Sequence, residues 1–238
     1  MQSASPGVQT LHMVGLGDSY LSAQNAKGQT FLDIYATALE SSAGRPVEVT
    51  LIASGDMTTA KLKESLATDE SVRDSVANAD IVVISVGGND SDPFGIYPDG
   101  TCAPTQPPPE CLEAYSPTLA GNYEEILDSI TALRDGQPTA LRVTSMDDPF
   151  VGWSEAPSDT FARDFFAQVA EAQTEAVFAL AQSHGAKTVD YLHAFNGADG
   201  LSDPAQYLAA DHSHPGELGI QAIADLLIEV GIAELGVY

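Results

Sequence analysis

The sequence feature that most constrains the fold is the apolar run at residues 81–86, Ile-Val-Val-Ile-Ser-Val. The run is continuous rather than alternating, which is typical of a strand covered on both faces of a parallel sheet. Parallel neighbours of such a strand need crossover connections, and these are usually helices. The run therefore predicts an α/β fold with helices on both sides of the sheet.

Strand-like and helix-like segments alternate along the rest of the chain. Further strands are predicted over residues 10–14, 46–53, 140–146 and 188–192. Helices are predicted over residues 31–44, 119–133, 160–183 and 217–230, and one or two short helices over residues 58–78. This rhythm predicts a three-layer α/β/α sandwich with a central, mostly parallel sheet. Residues 91–118 form a long irregular stretch rich in proline, and we expect this stretch to line one side of a functional site.

Length and composition predict one domain. The chain has 238 residues and 44% hydrophobic content, so we expect a single domain over residues 1–238 with a flexible tail at residues 1–8. The formal net charge of −25 argues against nucleic acid and anionic membranes as partners, because both bind basic surfaces. No apolar run is long enough to span a membrane. Residues 1–7 lack the pattern of a signal peptide, and we interpret them as a start Met on a mature or trimmed end.

The two cysteines, Cys102 and Cys111, both lie in the proline-rich stretch, without a histidine or a third cysteine nearby. This setting favours a small disulfide loop over a metal site. A bridge indicates an oxidising compartment, so we expect a secreted protein. Two free thiols in a cytosolic protein are the alternative.

The first predicted strand ends in the segment Gly15-Leu16-Gly17-Asp18-Ser19. The two glycines predict backbone freedom for a sharp turn. Ser19 follows the carboxyl end of the strand, where open α/β sheets bind their ligands, so its hydroxyl is a candidate nucleophile. The alternative is that Asp18 and Ser19 only cap the next helix.

Two later motifs also stand beside predicted elements. Residues 87–90 read Gly-Gly-Asn-Asp directly after the apolar run, and residues 211–215 read Asp-His-Ser-His-Pro before the last helix. Together with Gly-Asp-Ser-Tyr at residues 17–20, they resemble the blocks of the SGNH (GDSL-type) hydrolase family. Tyr20 stands where that family has leucine, and Gly55 is the best match to the family's block with a single glycine.

The resemblance implies a flavodoxin-like α/β/α fold and a serine esterase. A serine hydroxyl needs a base to take its proton, and an imidazole needs a carboxylate to orient it. The family pattern implies Ser19 as nucleophile, His214 as base and Asp211 as the orienting carboxylate. It also implies an oxyanion hole built from the Ser19 and Gly55 backbone N–H groups and the Asn89 amide.

Other polar residues near these motifs are alternative candidates for a functional site. His212 competes with His214, but the side chains of adjacent residues diverge, which argues against a pairing of His212 with Asp211. Asp147 and Asp148 follow a predicted strand, and they either line the pocket or form a turn. Residues 196–203 contain aspartates and glycines, but they lack the ligand spacing of a calcium loop, so no metal site is predicted.

Two further histidines, His12 and His184, fall in a strand and at a helix end, and we expect them to be structural. The chain has no Gly-x-Ser-x-Gly elbow and no glycine loop for phosphates. This argues against an α/β-hydrolase and against a nucleotide-binding protein.

The functional expectation is a monomeric serine carboxylester hydrolase that works through an acyl-enzyme without a cofactor. Its substrate would be a small-molecule, carbohydrate or lipid ester, with short acyl groups from acetyl to butyryl preferred. The alternatives are a carbohydrate O-deacetylase or a long-chain lipase of the same family. An alternative of another class is a non-catalytic extracellular binding domain on the same fold.

Overall fold

The computed structural model describes residues 9–91, 109–152 and 167–236. Its centre is a five-stranded sheet in the order β2-β1-β3-β4-β5, and every neighbouring pair is parallel. The strands are β1 Leu11–Gly17, β2 Val47–Ala53, β3 Ile81–Ser85, β4 Ala140–Thr144 and β5 Lys187–Val189. The apolar run that predicted the fold thus forms the middle strand, and all five residues of β3 are buried.

Helices connect the strands and cover both faces. They are α1 Ser19–Ser22, α2 Phe31–Ala43, α3 Thr59–Thr68, α4 Glu70–Ala77, α5 Pro109–Arg134, α6 Ala167–Ser183, α7 Tyr191–Asn196 and α8 Glu217–Val230. Within the described residues, 3-10 turns lie at Gly88–Ser91 and Ala233–Leu235. No helix within the described ranges is both long and apolar enough to cross a membrane.

Strand side chains alternate between two hydrophobic cores, because successive residues of a strand point to opposite faces. Facing the core with α3, α4, α5 and α6 are Val14, Leu16, Val82 and Ile84. Facing the core with α2, α7 and α8 are Leu11, Met13, Ile81 and Val83. The predicted three-layer α/β/α arrangement is therefore confirmed.

The glycines of β1 have a different role from the predicted one. The strand does not turn at Gly15 but continues through Gly17. A Cβ on Gly15 would collide with Leu32 and would lie 2.8 Å from Leu21 Cδ2, while a Cβ on Gly17 would overlap the backbone carbonyl of Ser85. These glycines are needed for close packing against β1, which corrects the prediction of a sharp turn.

The prediction of an irregular stretch over residues 91–118 is wrong for its last part, because α5 already begins at Pro109. Proline fits the first turn of a helix, where its missing N–H has no partner to lose. Pro117 lies inside the same helix. Residues 92–108 and Cys102 lie outside the described residues, so the disulfide to Cys111 stays a prediction.

The predicted strand over residues 188–192 is shorter than expected and is followed by a helix. β5 ends at Val189, and Asp190 caps α7 by accepting a hydrogen bond from His193 N at 3.1 Å. An aspartate at this position satisfies a free N–H of the first turn, which explains why the chain turns into a helix here. For α6, the predicted start at residue 160 lies outside the described residues.

Gly17→Ala should lower the free energy of unfolding by about 3 kcal/mol, because the added methyl group meets backbone that cannot rotate away. The matched control is Gly121→Ala on the exposed side of α5, where a Cβ has nothing within 4 Å. That change should raise stability by about 0.5–1 kcal/mol, since alanine is the better helix former. Urea unfolding of both variants measures the difference. Equal effects would show that close approach at Gly17 is not required.

Candidate active site

The carboxyl ends of β1 and β3 lie side by side, and the chain leaves β1 and β3 toward opposite sides of the sheet. In open parallel sheets, such a switch in strand order opens a crevice for ligands. A cavity of about 210 Å³ lies at this place. Its described lining residues are Asp18, Ser19, Tyr20, Ser85, Val86, Gly88, Asn89, Ser145, Met146, Asp147, Pro149, Phe150, Tyr191 and Ser213.

Asp18 caps a helix, and its neighbour Ser19 lines the cavity. Asp18 is the N-cap of α1, and its carboxylate accepts a hydrogen bond from Tyr20 N at 3.1 Å. Burial raises the pKa of Asp18 to about 6, although backbone N–H groups of Tyr20, Gly88 and Gly87 act in the opposite direction. Ser19 takes the first helical position and lines the cavity. The capping interpretation therefore holds for Asp18 and leaves the Ser19 hydroxyl at the cavity.

Asp211 and His214 lie in contact on the turn before α8. His214 Nδ1 is 2.8 Å from Asp211 Oδ2, and Asp211 Oδ1 accepts from the backbone N–H groups of Ser213 and His214, each at 3.0 Å. Burial would raise the pKa of Asp211, but these bonds outweigh it and hold the pKa below its ordinary value. The carboxylate thus stays ionised and holds one of the two ring nitrogens of His214.

His212 lies on the same turn with a different backbone. Its φ of 56° is in the left-handed region, and its N–H donates to Ala209 O at 3.0 Å. The hydrogen bonds of the Asp211 carboxylate go to Ser213 and His214. The turn therefore pairs the aspartate with the second of the two neighbouring histidines.

Tyr20 joins α1 to this turn, a contact that sequence reasoning missed. Its hydroxyl donates to the Ser213 carbonyl at 2.6 Å. Its ring centroid lies 6.1 Å from that of His214, in a tilted arrangement, and 6.0 Å from that of Tyr191, nearly parallel. Burial raises the pKa of the Tyr20 phenol well above its ordinary value, so the phenol keeps its proton. The helix that begins at Ser19 is thereby linked directly to the turn that holds His214.

Asn89 and Gly55 are in direct contact. The Asn89 amide donates to Met57 O at 2.8 Å and to Gly55 O at 3.2 Å. Next to it, Asp90 accepts from Thr59 N at 2.8 Å and from the Thr59 hydroxyl at 2.5 Å. These bonds fix the loop after β2 onto the 3-10 turn after β3. Gly55 has no heavy atom within 4 Å of its Cβ position, but it is not among the described lining residues of the cavity.

Asp147 and Asp148 follow β4 and have different surroundings. Asp147 lines the cavity, and burial raises its pKa to about 6. Asp148 accepts from Phe150 N at 2.9 Å, as in a turn, and burial raises its pKa to about 8. The two sequence interpretations thus apply to one residue each: Asp147 faces the cavity and Asp148 forms the turn.

The remaining candidates lie away from the cavity lining. Asn196 donates to Asp148 O at 2.8 Å and so stabilises the turn after β4. Among the described residues, no group of three or more His, Cys, Asp or Glu side chains is placed to hold a metal ion. His12 lies 3.5 Å from Glu48, and His184 lies 3.0 Å from Asp128. Both contacts lie outside the cavity lining.

Comparison with known proteins identifies the family of the chain. Residues 16–222 match the model of the GDSL-like Lipase/Acylhydrolase family. No curated protein sequence matches the chain.

Several solved structures share the fold. A lipase from a goat rumen metagenome has a TM-score of 0.74 at 20% identity, covering 93% of this chain and 98% of that one. An extracellular lipase from Streptomyces rimosus has a TM-score of 0.63 at 20% identity, covering 92% and 99%. A catalytic mutant of an acetylxylan esterase from Geobacillus stearothermophilus has a TM-score of 0.61 at 18% identity, covering 94% and 95%.

The family match spans most of the chain. It includes Asp18, Ser19 and Asn89, which line the cavity, and the turn of Asp211 and His214, of which Ser213 lines it. The chain therefore belongs to the GDSL-like lipase/acylhydrolase family and is an ester-cleaving hydrolase.

Proposed function

We propose that the protein is a serine carboxylester hydrolase with Ser19 as nucleophile, His214 as general base and Asp211 as the carboxylate that orients the imidazole. The observation that carries this proposal is the 2.8 Å contact between His214 Nδ1 and Asp211 Oδ2. The turn that holds this pair is hydrogen-bonded through Tyr20 to the helix that begins at Ser19. Nucleophile and base thus belong to one connected arrangement.

In this mechanism, His214 Nε2 takes the Ser19 hydroxyl proton as the serine oxygen attacks the ester carbonyl. The tetrahedral intermediate collapses when the alcohol leaves with the proton from the imidazolium, and the acyl group stays on Ser19. Water then attacks the acyl-enzyme in the same way, with His214 as base, and releases the acid. Asp211 stabilises the imidazolium in both halves of the reaction but does not itself take the proton.

The oxyanion hole in this proposal consists of the backbone N–H groups of Ser19 and Gly55 and the side chain of Asn89. Both bonds of the Asn89 amide now go to backbone carbonyls, and the bond to Gly55 O is the longer at 3.2 Å. The oxyanion would take over the hydrogen of that longer bond. The 2.8 Å bond to Met57 O would meanwhile keep the amide in place.

The cavity supports a preference for short acyl groups. Its volume of about 210 Å³ is below the roughly 300–1,000 Å³ of sites for drug-sized ligands. A carbohydrate O-deacetylase is the second candidate, because an acetyl group is the smallest acyl group of this range and one structural neighbour is an acetylxylan esterase. A long-chain lipase would need a longer apolar channel.

We further propose that the chain acts as a secreted, monomeric single domain without a cofactor. The structural neighbour from Streptomyces rimosus is an extracellular lipase, which supports secretion. The strongly acidic composition keeps copies of the chain apart by charge repulsion.

Ser19→Ala and His214→Ala should lower kcat by similar amounts, on the order of a million-fold, because the two residues act as one unit in proton transfer. Asp211→Asn should cost less, on the order of ten-thousand-fold, since the aspartate only orients and stabilises. His212→Ala is the matched control on the same turn and should be mild. Steady-state kinetics on p-nitrophenyl butyrate provide the measurement. A severe His212→Ala with a mild His214→Ala would show that the base is misassigned.

Asn89→Ala should raise the activation barrier by about 2.7–4 kcal/mol, the usual effect of losing one side-chain donor to the oxyanion. KM should change little, because the amide acts on charge that develops in the transition state. The same variant loses the bonds to Gly55 O and Met57 O, so its free energy of unfolding is measured in parallel. A raised KM with an unchanged kcat would instead assign Asn89 to substrate binding.

Tyr20→Phe should lower kcat by up to about tenfold with KM unchanged, the equivalent of one hydrogen bond that holds the turn of His214. The matched control is Tyr35→Phe. The Tyr35 hydroxyl donates to Gly231 O at 3.4 Å, away from the cavity lining. Both variants lose a tyrosine hydroxyl bonded to a backbone carbonyl, but only the first should slow turnover. Equal kcat values in the two variants would show that Tyr20 does not position the base.

A further inference from the structure

The base and the nucleophile differ in their relation to the cavity. Ser19 lines the cavity, whereas His214 is not among the described lining residues, and its side chain is 38% exposed. The leaving alcohol of an ester must lie beside the base, because the imidazolium gives its proton to the alcohol oxygen. The alcohol side of a bound ester therefore faces solvent, which leaves the cavity for the acyl side.

The polar groups of the cavity wall are engaged with partners in the protein. Asp18 caps α1, and the Asp147 carboxyl interacts with the Tyr20 hydroxyl. The Ser145 hydroxyl accepts hydrogen bonds from the first two N–H groups of α7, each at 2.9 Å. Because these groups already have partners, an entering substrate gains mainly from apolar contact.

The apolar part of the wall is a thin layer over the packed interior. Apolar side chains that line the cavity include Val86, Met146, Pro149 and Phe150. Met146 and Phe150 also belong to a small hydrophobic cluster with Ala170 of α6 and Leu192 of α7. Ala170 and Leu192 are fully buried and are not among the described lining residues. Met146 and Phe150 thus separate the cavity from α6 and α7.

We propose that this cavity holds the acyl group of the ester, that Met146 limits the length of the acyl chain, and that the alcohol side is unrestricted. The inference rests on the proposed function, since it assigns the two sides of an ester at the Ser19 site. The substrate class is esters of short apolar acids with alcohols of any size. Simple esters and acetylated carbohydrates both belong to it, because they differ on the alcohol side.

Two series of esters test the assignment of the two sides. p-Nitrophenyl esters from acetate to octanoate vary the acyl chain alone, and butyrates from ethyl to octyl vary the alcohol alone. From p-nitrophenyl butyrate to octanoate, kcat/KM should fall by at least about 100-fold, since one surplus methylene in a closed apolar pocket already costs about tenfold or more. Across the alcohol series it should vary by less than about tenfold, because a chain that stays in water gains no burial energy. A flat acyl series, or an alcohol series with equal discrimination, overturns the proposal.

Met146→Ala should raise the acyl limit by about two carbons, because the space left by a truncated core side chain closes only in part. Met13→Ala is the matched control, since Met13 is a buried methionine that faces the other hydrophobic core and does not line the cavity. The ratio of butyrate to octanoate kcat/KM is internal to each variant, so a general loss of activity does not affect it. An unchanged ratio in Met146→Ala, or an equal shift in Met13→Ala, overturns the role of Met146.

Met146→Phe tests the same residue in the opposite direction and does not depend on the folding of the alanine variant. The larger side chain should lower the kcat/KM of butyrate relative to acetate by about tenfold, the effect of one methylene too many in an apolar pocket. An unchanged ratio of the two esters would contradict the assignment of Met146.

A crystal structure of the protein inactivated by a p-nitrophenyl propylphosphonate shows the placement directly. Ser19 bonds to phosphorus with loss of p-nitrophenol, and the propyl chain then takes the place of the acyl chain of a butyrate. The chain should lie within about 4.5 Å of the Met146 side chain. A propyl chain that points to solvent overturns the proposal.

Hydrolysis of p-nitrophenyl butyrate by the wild type and by Ser19→Ala separates the two levels of the argument. When Ser19→Ala abolishes turnover and the acyl series is flat, the acyl pocket alone is refuted. When Ser19→Ala keeps its activity, the proposed function is refuted, and the profile of Met146→Ala then still decides whether the cavity holds the acyl group.

Discussion

The site depends on the close approach of two backbones at the ends of β1 and β3. Gly17 lies against the Ser85 carbonyl with no room for a Cβ, and the same carbonyl accepts a hydrogen bond from Asp18 N at 3.1 Å. This contact sets where α1 begins, because Asp18 is its cap. It therefore fixes the Ser19 hydroxyl relative to the turn that holds Asn89. A side chain at Gly17 would separate the two segments, and no later contact of the site could restore their spacing.

The loops around this contact are held mainly by side chains that bond to backbone. Tyr20 bonds to Ser213 O across 193 positions of sequence, and Asn89 bonds to Met57 O across 32. The Thr59 hydroxyl donates to the Asp90 carboxylate and accepts a hydrogen bond from the Asn122 amide of α5 at 2.9 Å. Loops carry binding and catalytic groups on a rigid scaffold, and these bonds give the loops the rigidity they lack by themselves.

The sequence predicts the framework better than the contacts within the site. The run at residues 81–86 identified the central strand, because only a strand covered on both faces can be apolar throughout. The motifs at Ser19, Asn89 and His214 could be placed at one sheet edge, since parallel strands end on the same side. For Asp147, the sequence left the choice between the pocket and a turn open. The contact of Tyr20 with the turn of His214 could not be recognised, because Ser213 lies far away along the chain. The role of Gly17 was misread for the same reason, since its neighbour Ser85 belongs to another strand.

The buried carboxylates make the folded state sensitive to pH in a defined direction. Burial raises the pKa of Asp147 from its ordinary value of 3.8 to about 6. Between these values the unfolded chain loses a proton that the folded chain keeps, so the stability from this group is present at low pH and is lost as the pH rises to about 6. At neutral pH the carboxylate is ionised and costs stability. Asp18 has the same shift, but its backbone hydrogen bonds make it the cap of α1. For Asp147, the Tyr20 hydroxyl and the backbone N–H of Asp147 itself act against the effect of burial.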